Sequence, residues 1–275
     1  MQLHQIRLLR QFFLPLLYKV NPGDITIHHH WTGEQFILHS FKHKGYWFHG
    51  KNRERKTMEL FAKLIRENDT IFDIGGHIGY VTIYFSSLAK GGKIYVFEPD
   101  YSNLPYLKYN VKSKENITII EKGVWNFNGE LKLYIEHITG QNSSFIKDFY
   151  PYLETKKNAF CKEKENIEEV LVKVVKLDDF IQQVNAVPNL LKIDAEGSEY
   201  EIIQGMLNIL EKTRPILMIE IRYNHKKIYD IMKEKGYIIF DPTLKIINNY
   251  EQLFMNTFFL HREAHFRLLS ELKIL

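Results

Sequence analysis

The sequence predicts an α/β fold with a mostly parallel central sheet, and three features predict it. Short apolar runs rich in β-branched residues alternate with segments of helical periodicity. The run from Thr70 to Ile74 enters a glycine-rich turn at Gly75, which opens a helix. The next run, from Lys93 to Phe97, ends at Glu98. Because strands that alternate with helices form a mostly parallel sheet with right-handed crossovers, we expect these strands to be parallel.

The elements follow from the same periodicities along the chain. Helical spacing of apolar residues, as in Met58, Phe61 and Ile65, predicts helices, and β-branched runs bounded by Gly, Asn or Pro predict strands. The diglycine at 91–92 is expected to end the second helix. We predict helices over 52–67, 78–89, 101–112 and 199–210, and strands over 70–74, 93–97, 116–120, 129–135, 171–177, 189–193, 216–221, 236–240 and 256–260.

The glycine turn and Glu98 together indicate a site for a nucleoside-bearing cofactor. Glycines tolerate positive φ and let backbone N–H groups approach a ligand closely, at the N-terminus of a helix. Glu98 follows the turn by roughly 20 residues, where a carboxylate can accept both ribose hydroxyls. Glycine-rich turns alone are common in proteins that bind no cofactor, so the acid after the second strand is the deciding feature. The dinucleotide pattern G-x-G-x-x-G and the phosphate loop are both absent.

Several motifs together resemble the FkbM family of methyltransferases over about residues 57–262. They are DIGGHIG at 73–79, FEP at 97–99, N-x-x-x-L-x-x-N at 103–110, NSS at 142–144, LDD at 177–179, LKIDAEGSE at 191–199 and RPILMIEI at 214–221. Gly76 and His77 depart from the family's usual DIGANIG turn, and Tyr101 stands where a second proline is frequent.

The resemblance implies a Rossmann-like class I methyltransferase fold. Its sheet would have seven strands, mostly parallel, with an antiparallel last strand. The implied cofactor is S-adenosylmethionine. The implied cofactor-binding residues are Asp73, Gly75, Gly76, His77, Gly79, Glu98 and Asp194.

Asp194 and Glu196 are the candidate catalytic residues because they follow the fourth core strand at the expected ligand-binding edge. A hydroxyl acceptor loses a proton during methyl transfer, so a carboxylate base is useful there. Acids in this position also stabilise a helix N-terminus, and Ser198 with Glu201 has the spacing of a capping box. Lys192 is expected to pair with one of the acids.

Other residues could also serve this chemistry. Asp194, Glu196 and Glu220 could offer oxygen ligands to a divalent cation, but nothing in their spacing demands it, and we predict no metal site. His225 is a further candidate base, although a histidine at a helix start is more often structural. Trp47 and Trp125 could stack on a sugar, or simply pack in the core.

We divide the chain into an N-terminal extension, residues 1–55, and a methyltransferase domain, residues 56–275. The apolar run at 12–18 is too short to span a bilayer, and we expect an amphipathic segment that packs on the domain, mediates self-association or touches a membrane weakly. The aromatic-rich stretch at 28–48 predicts strands, with His28 to His30 in an exposed turn-to-strand segment rather than a metal site. We predict that residues 141–169 form either a mobile lid or a plain surface insertion.

Composition limits the remaining possibilities. A chain of 275 residues with 45% hydrophobic residues can build one sizeable core. The lone cysteine, Cys161, excludes an intrachain disulfide and fits a cytoplasmic protein, and a net charge of +4 is low for a nucleic-acid binder.

The sequence thus predicts an S-adenosylmethionine-dependent O-methyltransferase. Its acceptor would be a hydroxyl of a sugar, glycan or natural product, with a sugar favoured by family association. A homo-oligomer is possible. A nucleotide-dependent oxidoreductase and a non-catalytic cofactor-binding module remain alternatives. A nucleic-acid methyltransferase is disfavoured because DAEG stands where an N-P-P-[YF]-type tetrad would be expected.

Overall fold

The computed structural model describes residues 20, 22–137, 142–147, 149, 167–253 and 255–275. The predicted amphipathic segment at 12–18, Cys161 and most of the predicted lid at 141–169 lie outside these residues. Within the described ranges, every helix is too short or too polar to cross a bilayer.

Twelve strands and nine α-helices form the described part of the chain. The strands are β1 Asp24–His28, β2 Gln35–His39, β3 Thr70–Ile74, β4 Lys93–Phe97, β5 Ile117–Ile120, β6 Gly123–Trp125, β7 Gly129–Glu136, β8 Ile167–Lys176, β9 Leu190–Ile193, β10 Ile216–Ile221, β11 Tyr237–Phe240 and β12 Met255–His261. The helices are α1 Lys44–His49, α2 Arg55–Leu64, α3 Tyr80–Leu88, α4 Leu104–Val111, α5 Leu177–Val184, α6 Glu199–Gln204, α7 Leu207–Lys212, α8 His225–Glu234 and α9 Phe266–Glu271.

The central sheet has seven strands in the order β11-β12-β10-β9-β3-β4-β5. Strands β10, β9, β3, β4 and β5 pair in parallel, whereas β12 is antiparallel to both of its neighbours. The predicted fold class, including the antiparallel last strand, is therefore confirmed. Two apolar cores cover the two faces of this sheet, as expected for strands buried on both sides.

The carboxyl ends of β3, β4, β9 and β10 meet at one edge of the sheet, as the sequence predicted. Asp73 in β3 and Lys192 in β9 are direct register partners, and Asp73 also lies opposite Val96 in β4. In open parallel sheets, ligands bind beyond these ends.

Two smaller sheets flank the central one. Strands β1 and β2 form an antiparallel hairpin, and β6, β8 and β7 form a three-stranded sheet. Phe36 and Leu38 of the hairpin are fully buried in the same apolar core as α2 and α3. Asn110 fixes the hairpin in place, because its side chain accepts from Ile37 N and donates to the carbonyls of Ile37 and Ile78.

Several predictions about the elements were wrong. The aromatic stretch after β2 forms helix α1 rather than a strand, and of its three consecutive aromatic residues Tyr46 is buried whereas Phe48 is exposed. His29 is buried, not exposed, and its Nε2 donates to Tyr80 O at 2.9 Å. The strand predicted over 171–177 begins at Ile167, inside the predicted lid, and residue 177 starts the unpredicted helix α5.

The helix predicted over 199–210 is broken at Gly205, where α6 ends before α7 begins. A Cβ on Gly205 would lie 2.4 Å from the Trp125 carbonyl oxygen, so β6 packs directly against the helix break. Asp178 of the LDD motif caps α7: its carboxylate accepts from the backbone N–H groups of Asn208 and Ile209. Asp178 thus has a structural role.

Candidate active site

A cavity of about 350 Å³ opens at the carboxyl ends of the parallel strands. The glycine turn, Glu98 and the acids after β9 line its walls, together with residues from α1, from the loop before α2 and from the 142–145 segment. A second cavity of about 40 Å³ lies behind the glycine turn. The volume of the first is within the range of small-molecule sites.

The glycine turn is tightly packed against the neighbouring strand ends. A Cβ on Gly75, which has φ +77°, would lie 1.9 Å from the carbonyl oxygen of Asp194. A Cβ on Gly76 would lie 2.0 Å from a methyl group of Val96. Gly79, with φ +88°, is the N-cap of α3. Close packing therefore requires glycine at 75 and 76, which holds the turn's backbone at the cavity wall.

Glu98 is buried and lies at the wall of the cavity rather than in bulk water. Its Oε2 accepts from His77 N at 2.7 Å and its Oε1 accepts from Asp100 N at 2.9 Å. Burial and the charge of Asp100 raise the pKa of Glu98 to about 8, although these backbone bonds and the side chain of Asn103 oppose the rise. A carboxylate can accept about four hydrogen bonds, so with these three donors it can still accept from a ligand hydroxyl.

Lys192 lies at the centre of a buried charge cluster beneath the turn. Its Nζ is 3.1 Å from Asp73 Oδ1 and 3.4 Å from Asp194 Oδ2, and it donates to Gly75 O at 2.9 Å. The second oxygen of Asp73 accepts from Thr82 Oγ1 at 2.6 Å. The expected pairing of Lys192 with an acid after β9 is present at Asp194, whereas its contact with Asp73 was not predicted. Together the two pairs fix the turn relative to β9.

Asp194, Glu196, Glu220 and Arg222 form a second cluster on the cavity wall. Burial and the neighbouring charge of Asp194 raise the pKa of Glu196 to about 8. Glu220, also buried, has a pKa well above its ordinary value and hydrogen-bonds Asp194. Burial opposes ionisation of Asp194, but Lys192 and the hydrogen bond from Glu220 lower its pKa. Arg222 pairs with Glu220 at 2.5 Å and with Glu196 at 3.6 Å.

Glu196 has a backbone conformation that is uncommon for a residue with a side chain. Its φ is +47°, and Ser144 Oγ donates to its carbonyl oxygen at 2.6 Å. Its Oε2 is buried and has no hydrogen-bond partner among the described residues. Strained residues with unsatisfied polar atoms are concentrated at functional sites.

Comparison with known proteins identifies the family. Residues 73–239, more than half of the chain, match the family described as the methyltransferase FkbM domain. The chain belongs to the FkbM methyltransferase family. The predicted family is therefore confirmed.

The relatives compared with this FkbM chain are distant, and the chain spans little more than half the length of the curated one. "Methyltransferase 1" of Beauveria bassiana (strain ARSEF 2860) is 24% identical over 147 residues, which cover 51% of this chain and 59% of that protein. A solved structure of methyltransferase FkbM from Methylobacillus flagellatus KT has 17% identity and a TM-score of 0.46, over 71% of this chain and 44% of that one. Aeropyrum pernix fibrillarin, solved with natively bound S-adenosyl-L-methionine, has 12% identity and a TM-score of 0.45, over 86% and 94% of the two chains.

Most of the predicted site residues of the FkbM chain lie together at the cavity. Gly75, His77, Glu98, Asp194 and Glu196 line the large cavity, and Gly76 lines the small one. The other two lie behind the wall: Asp73 pairs with Lys192, and Gly79 packs on Leu107. In the described ranges, no group of three or more histidine, cysteine, aspartate or glutamate side chains is arranged to hold a metal ion.

The predicted capping box is not formed. Ser198 is the N-cap of α6, but its hydroxyl is buried and makes no capping hydrogen bond. Instead, Glu199 Oε1 accepts from Gly197 N at 2.8 Å. The candidate base His225 starts α8 and, like Trp47 and Trp125, is not among the described residues that line the cavity.

Four further residues that line the cavity were not predicted from the sequence: Tyr46, Arg53, Ser143 and Arg222. Ser143 belongs to the NSS motif, and its Oγ donates to Asp100 at 2.6 Å, so that motif was the available signal. Arg222 directly follows β10. Tyr46 and Arg53 precede the region matched by the family and carry no recognisable motif.

Proposed function

We propose that this FkbM methyltransferase transfers the methyl group of S-adenosylmethionine to a hydroxyl of a sugar, glycan or natural-product acceptor. The observation that carries the proposal is Glu196 Oε2, which accepts no hydrogen bond among the described residues and has only a 3.6 Å ion pair with Arg222, in the same cavity as the buried carboxylate of Glu98. Donor binding requires a carboxylate that accepts hydrogen bonds from the ribose hydroxyls, and deprotonation of the acceptor hydroxyl requires a base. Both groups line this cavity.

The residues present fit the donor. Glu98 is available to the ribose hydroxyls, and the turn from Gly75 to His77 is available to the amino-acid end. The ionised carboxylate of Asp194 suits a positively charged sulfur. S-adenosylmethionine, when bound, supplies an electrophilic methyl group on a sulfonium. The cavity wall aligns the acceptor with that group and excludes water, which accounts for much of the rate enhancement in such reactions.

Glu196 is the proposed general base. A carboxylate with a pKa of about 8 is a much stronger base than an exposed glutamate, because burial and the Asp194 charge disfavour its ionised form. It takes the proton of the acceptor hydroxyl as the oxygen forms its bond to the methyl carbon and the bond from that carbon to sulfur breaks, which leaves S-adenosylhomocysteine. Arg222, at 3.6 Å, keeps the ionised form accessible before the proton arrives.

The acceptor wall supports a polyhydroxylated molecule. Asn142, Ser143 and Lys122 contribute polar groups, and Phe145 and Leu133 contribute apolar surface, to the same cavity. Mixed surfaces of this kind suit the alternating hydroxyl groups and apolar faces of a sugar. The sugar assignment also rests on the family resemblance, so the acceptor panel must contain non-sugar hydroxyls.

The test is calorimetric binding of S-adenosylmethionine, followed by mass-spectrometric detection of methyl transfer to nucleotide sugars, glycans and phenolic natural products. We expect donor binding by the wild type, loss of binding in Glu98→Ala and unchanged binding in Glu121→Gln. Glu121 is the matched control because it follows β5 as Glu98 follows β4 but forms an exposed pair with Lys108.

Three results would contradict the proposal. Binding of a nicotinamide nucleotide without binding of S-adenosylmethionine would favour an oxidoreductase. Donor binding without turnover on any acceptor class would favour a non-catalytic module. Transfer to an amine or to a nucleic acid would contradict O-methylation.

A further inference from the structure

The large and small cavities share one wall, and part of it comes from outside the region that matches the FkbM family. Tyr46 of α1 and Arg53, between α1 and α2, line both cavities, as do Gly75, His77 and Asp194. The matched region begins only at residue 73. The N-terminal extension therefore completes the end of the site that adjoins the glycine turn.

Tyr46 fixes this wall in place. Its hydroxyl lies 3.1 Å from His77 Nδ1, and its ring is stacked on the His77 imidazole with an interplanar angle of 20°. Burial raises the pKa of Tyr46 to about 12, so its hydroxyl stays protonated and can donate to His77. The contact links α1 directly to the turn.

Arg53 also packs on the aromatic ring of Tyr46. Its guanidinium carbon is 4.6 Å from the centroid of the Tyr46 ring, a distance typical of a cation–π contact. Its one ion pair among the described residues is a loose contact to Glu54, with Nε 3.6 Å from Oε1. The planar guanidinium is thus held in position while its hydrogen-bonding edge is not taken up by a close carboxylate.

The other cations at the cavities differ from Arg53. Lys192 is committed to Asp73, Asp194 and the Gly75 carbonyl. Arg222 is paired with Glu220 at 2.5 Å. Lys122 lines the large cavity but not the small one behind the turn. Arg53 is therefore the cation at the turn that is positioned to accept an anionic group from a ligand.

The charges around Arg53 suit a zwitterion rather than a simple anion. Asp194 and Glu54 lie on the same wall and can receive an ammonium group, while Arg53 receives a carboxylate in a two-pronged contact. An α-amino acid carries both groups on one carbon. The methyl donor of the proposed function has such an end.

We infer that Arg53, held by Tyr46, binds the α-carboxylate of the methyl donor and so selects donors that carry an intact amino-acid end. This inference rests on the proposed function. It assigns the recognition of the donor's amino-acid end to the N-terminal extension of this chain.

The test compares two ligands that differ in the amino-acid end. S-adenosylhomocysteine carries it and 5′-methylthioadenosine lacks it, and both are titrated by calorimetry. For Arg53→Gln we expect the affinity for S-adenosylhomocysteine to fall on the order of 10- to 100-fold, because a charge-assisted bidentate contact is lost. The affinity for 5′-methylthioadenosine should stay within about twofold. The affinity of Arg53→Lys for S-adenosylhomocysteine should lie between those of wild type and Arg53→Gln, since lysine keeps the charge but not the bidentate geometry.

Arg55→Gln is the matched control, because Arg55 is two residues away and exposed in a pair with Glu59. It should leave both affinities unchanged. Equal losses for both ligands in Arg53→Gln, or no loss for either, would overturn the inference. Thermal unfolding of each variant shows whether an equal loss of both affinities reflects misfolding. If Arg53→Gln is misfolded, the two affinities of Arg53→Lys decide the test. If the wild type binds neither ligand, the proposed function itself fails, which is a distinct result.

Discussion

The ammonium of Lys192 lies 3.1 Å from the carboxylate of Asp73, and both side chains are almost completely buried. The two residues are register partners on β9 and β3, so the ion pair bridges the centre of the sheet. Burial alone would lower the pKa of Lys192, but Asp73 and Asp194 reverse the direction and raise it. The charge is therefore retained, and it fixes the glycine turn through the Gly75 carbonyl.

Removing this ammonium should destabilise the protein strongly. Lys192→Met leaves Asp73 as an uncompensated buried charge, and we expect a loss of about 3–5 kcal/mol in the free energy of unfolding. Urea denaturation followed by circular dichroism measures it. The double variant Asp73→Asn with Lys192→Met should lose less than the sum of the single variants. Lys226→Met is the control, because Lys226 belongs to an exposed ion pair with Asp230. A loss below about 1 kcal/mol in Lys192→Met would contradict a stabilising role for the buried pair.

Donor binding should release a proton from Glu98. Its pKa in the free site is raised to about 8, and ribose hydroxyls that donate to the carboxylate favour the ionised form. Below pH 8, affinity should therefore fall as the pH falls, and it should level off above pH 8. Calorimetry in buffers of different ionisation enthalpy measures the protons released. Glu98→Gln should reduce that number and the pH dependence together, and an unchanged proton count in this variant would exclude Glu98 as the source.

Activity should follow the ionisation of Glu196. Since the base must be deprotonated and its pKa is about 8, kcat/KM should rise with pH and level off above pH 8. Glu196→Gln should lower kcat on the order of 10²- to 10⁴-fold while donor affinity changes little. Glu201→Gln, on the same turn-to-helix segment but outside the cavity lining, is the matched control. Retention of kcat within about tenfold in Glu196→Gln would assign the base to another group.

The central sheet could be predicted from the sequence because its strands are short apolar runs with clear boundaries. The acids at 98, 194 and 196 could be predicted as neighbours because parallel strands bring their carboxyl ends to one edge. These inferences use local periodicity and a topological rule, and both are readable in one sequence.

The remainder of the site could not be predicted because it depends on contacts between distant segments. Tyr46 reaches His77 only because α1 packs beside the glycine turn, and an aromatic stretch reads equally well as strand or helix. The break at Gly205 depends on the approach of β6, which is distant in sequence. The split into domains at residue 55 remains a prediction.

The histidines near the hairpin and at the C-terminus have a structural role that no motif indicated. His29, His39, His43 and His265 each accept backbone N–H groups through Nδ1, which requires an unprotonated nitrogen. Burial lowers the pKa of His43 to about 2, helped by the neighbouring His77, and it lowers the pKa of His29 and of His265 to about 4. The neutral imidazoles thus hold tight turns closed.

Stability should therefore fall in mild acid because of these histidines. The folded-state pKa of His43 is below the unfolded value of about 6.5, so the unfolded chain binds the extra proton. The stabilisation is therefore complete above pH 6.5 and is lost as the pH falls.

The difference in the free energy of unfolding between wild type and His43→Gln should shrink by about 2 kcal/mol between pH 7 and pH 5. Urea unfolding at both pH values measures it, with the exposed His28→Gln as control. Wild type is compared with a variant because other buried groups also change the stability with pH. The pKa values of Glu98 and Glu196 are raised, so their contribution to the free energy of unfolding falls as the pH rises from about 4.5 to 8, opposite to that of His43. A constant difference between wild type and His43→Gln would show that the imidazole is not held neutral by the fold.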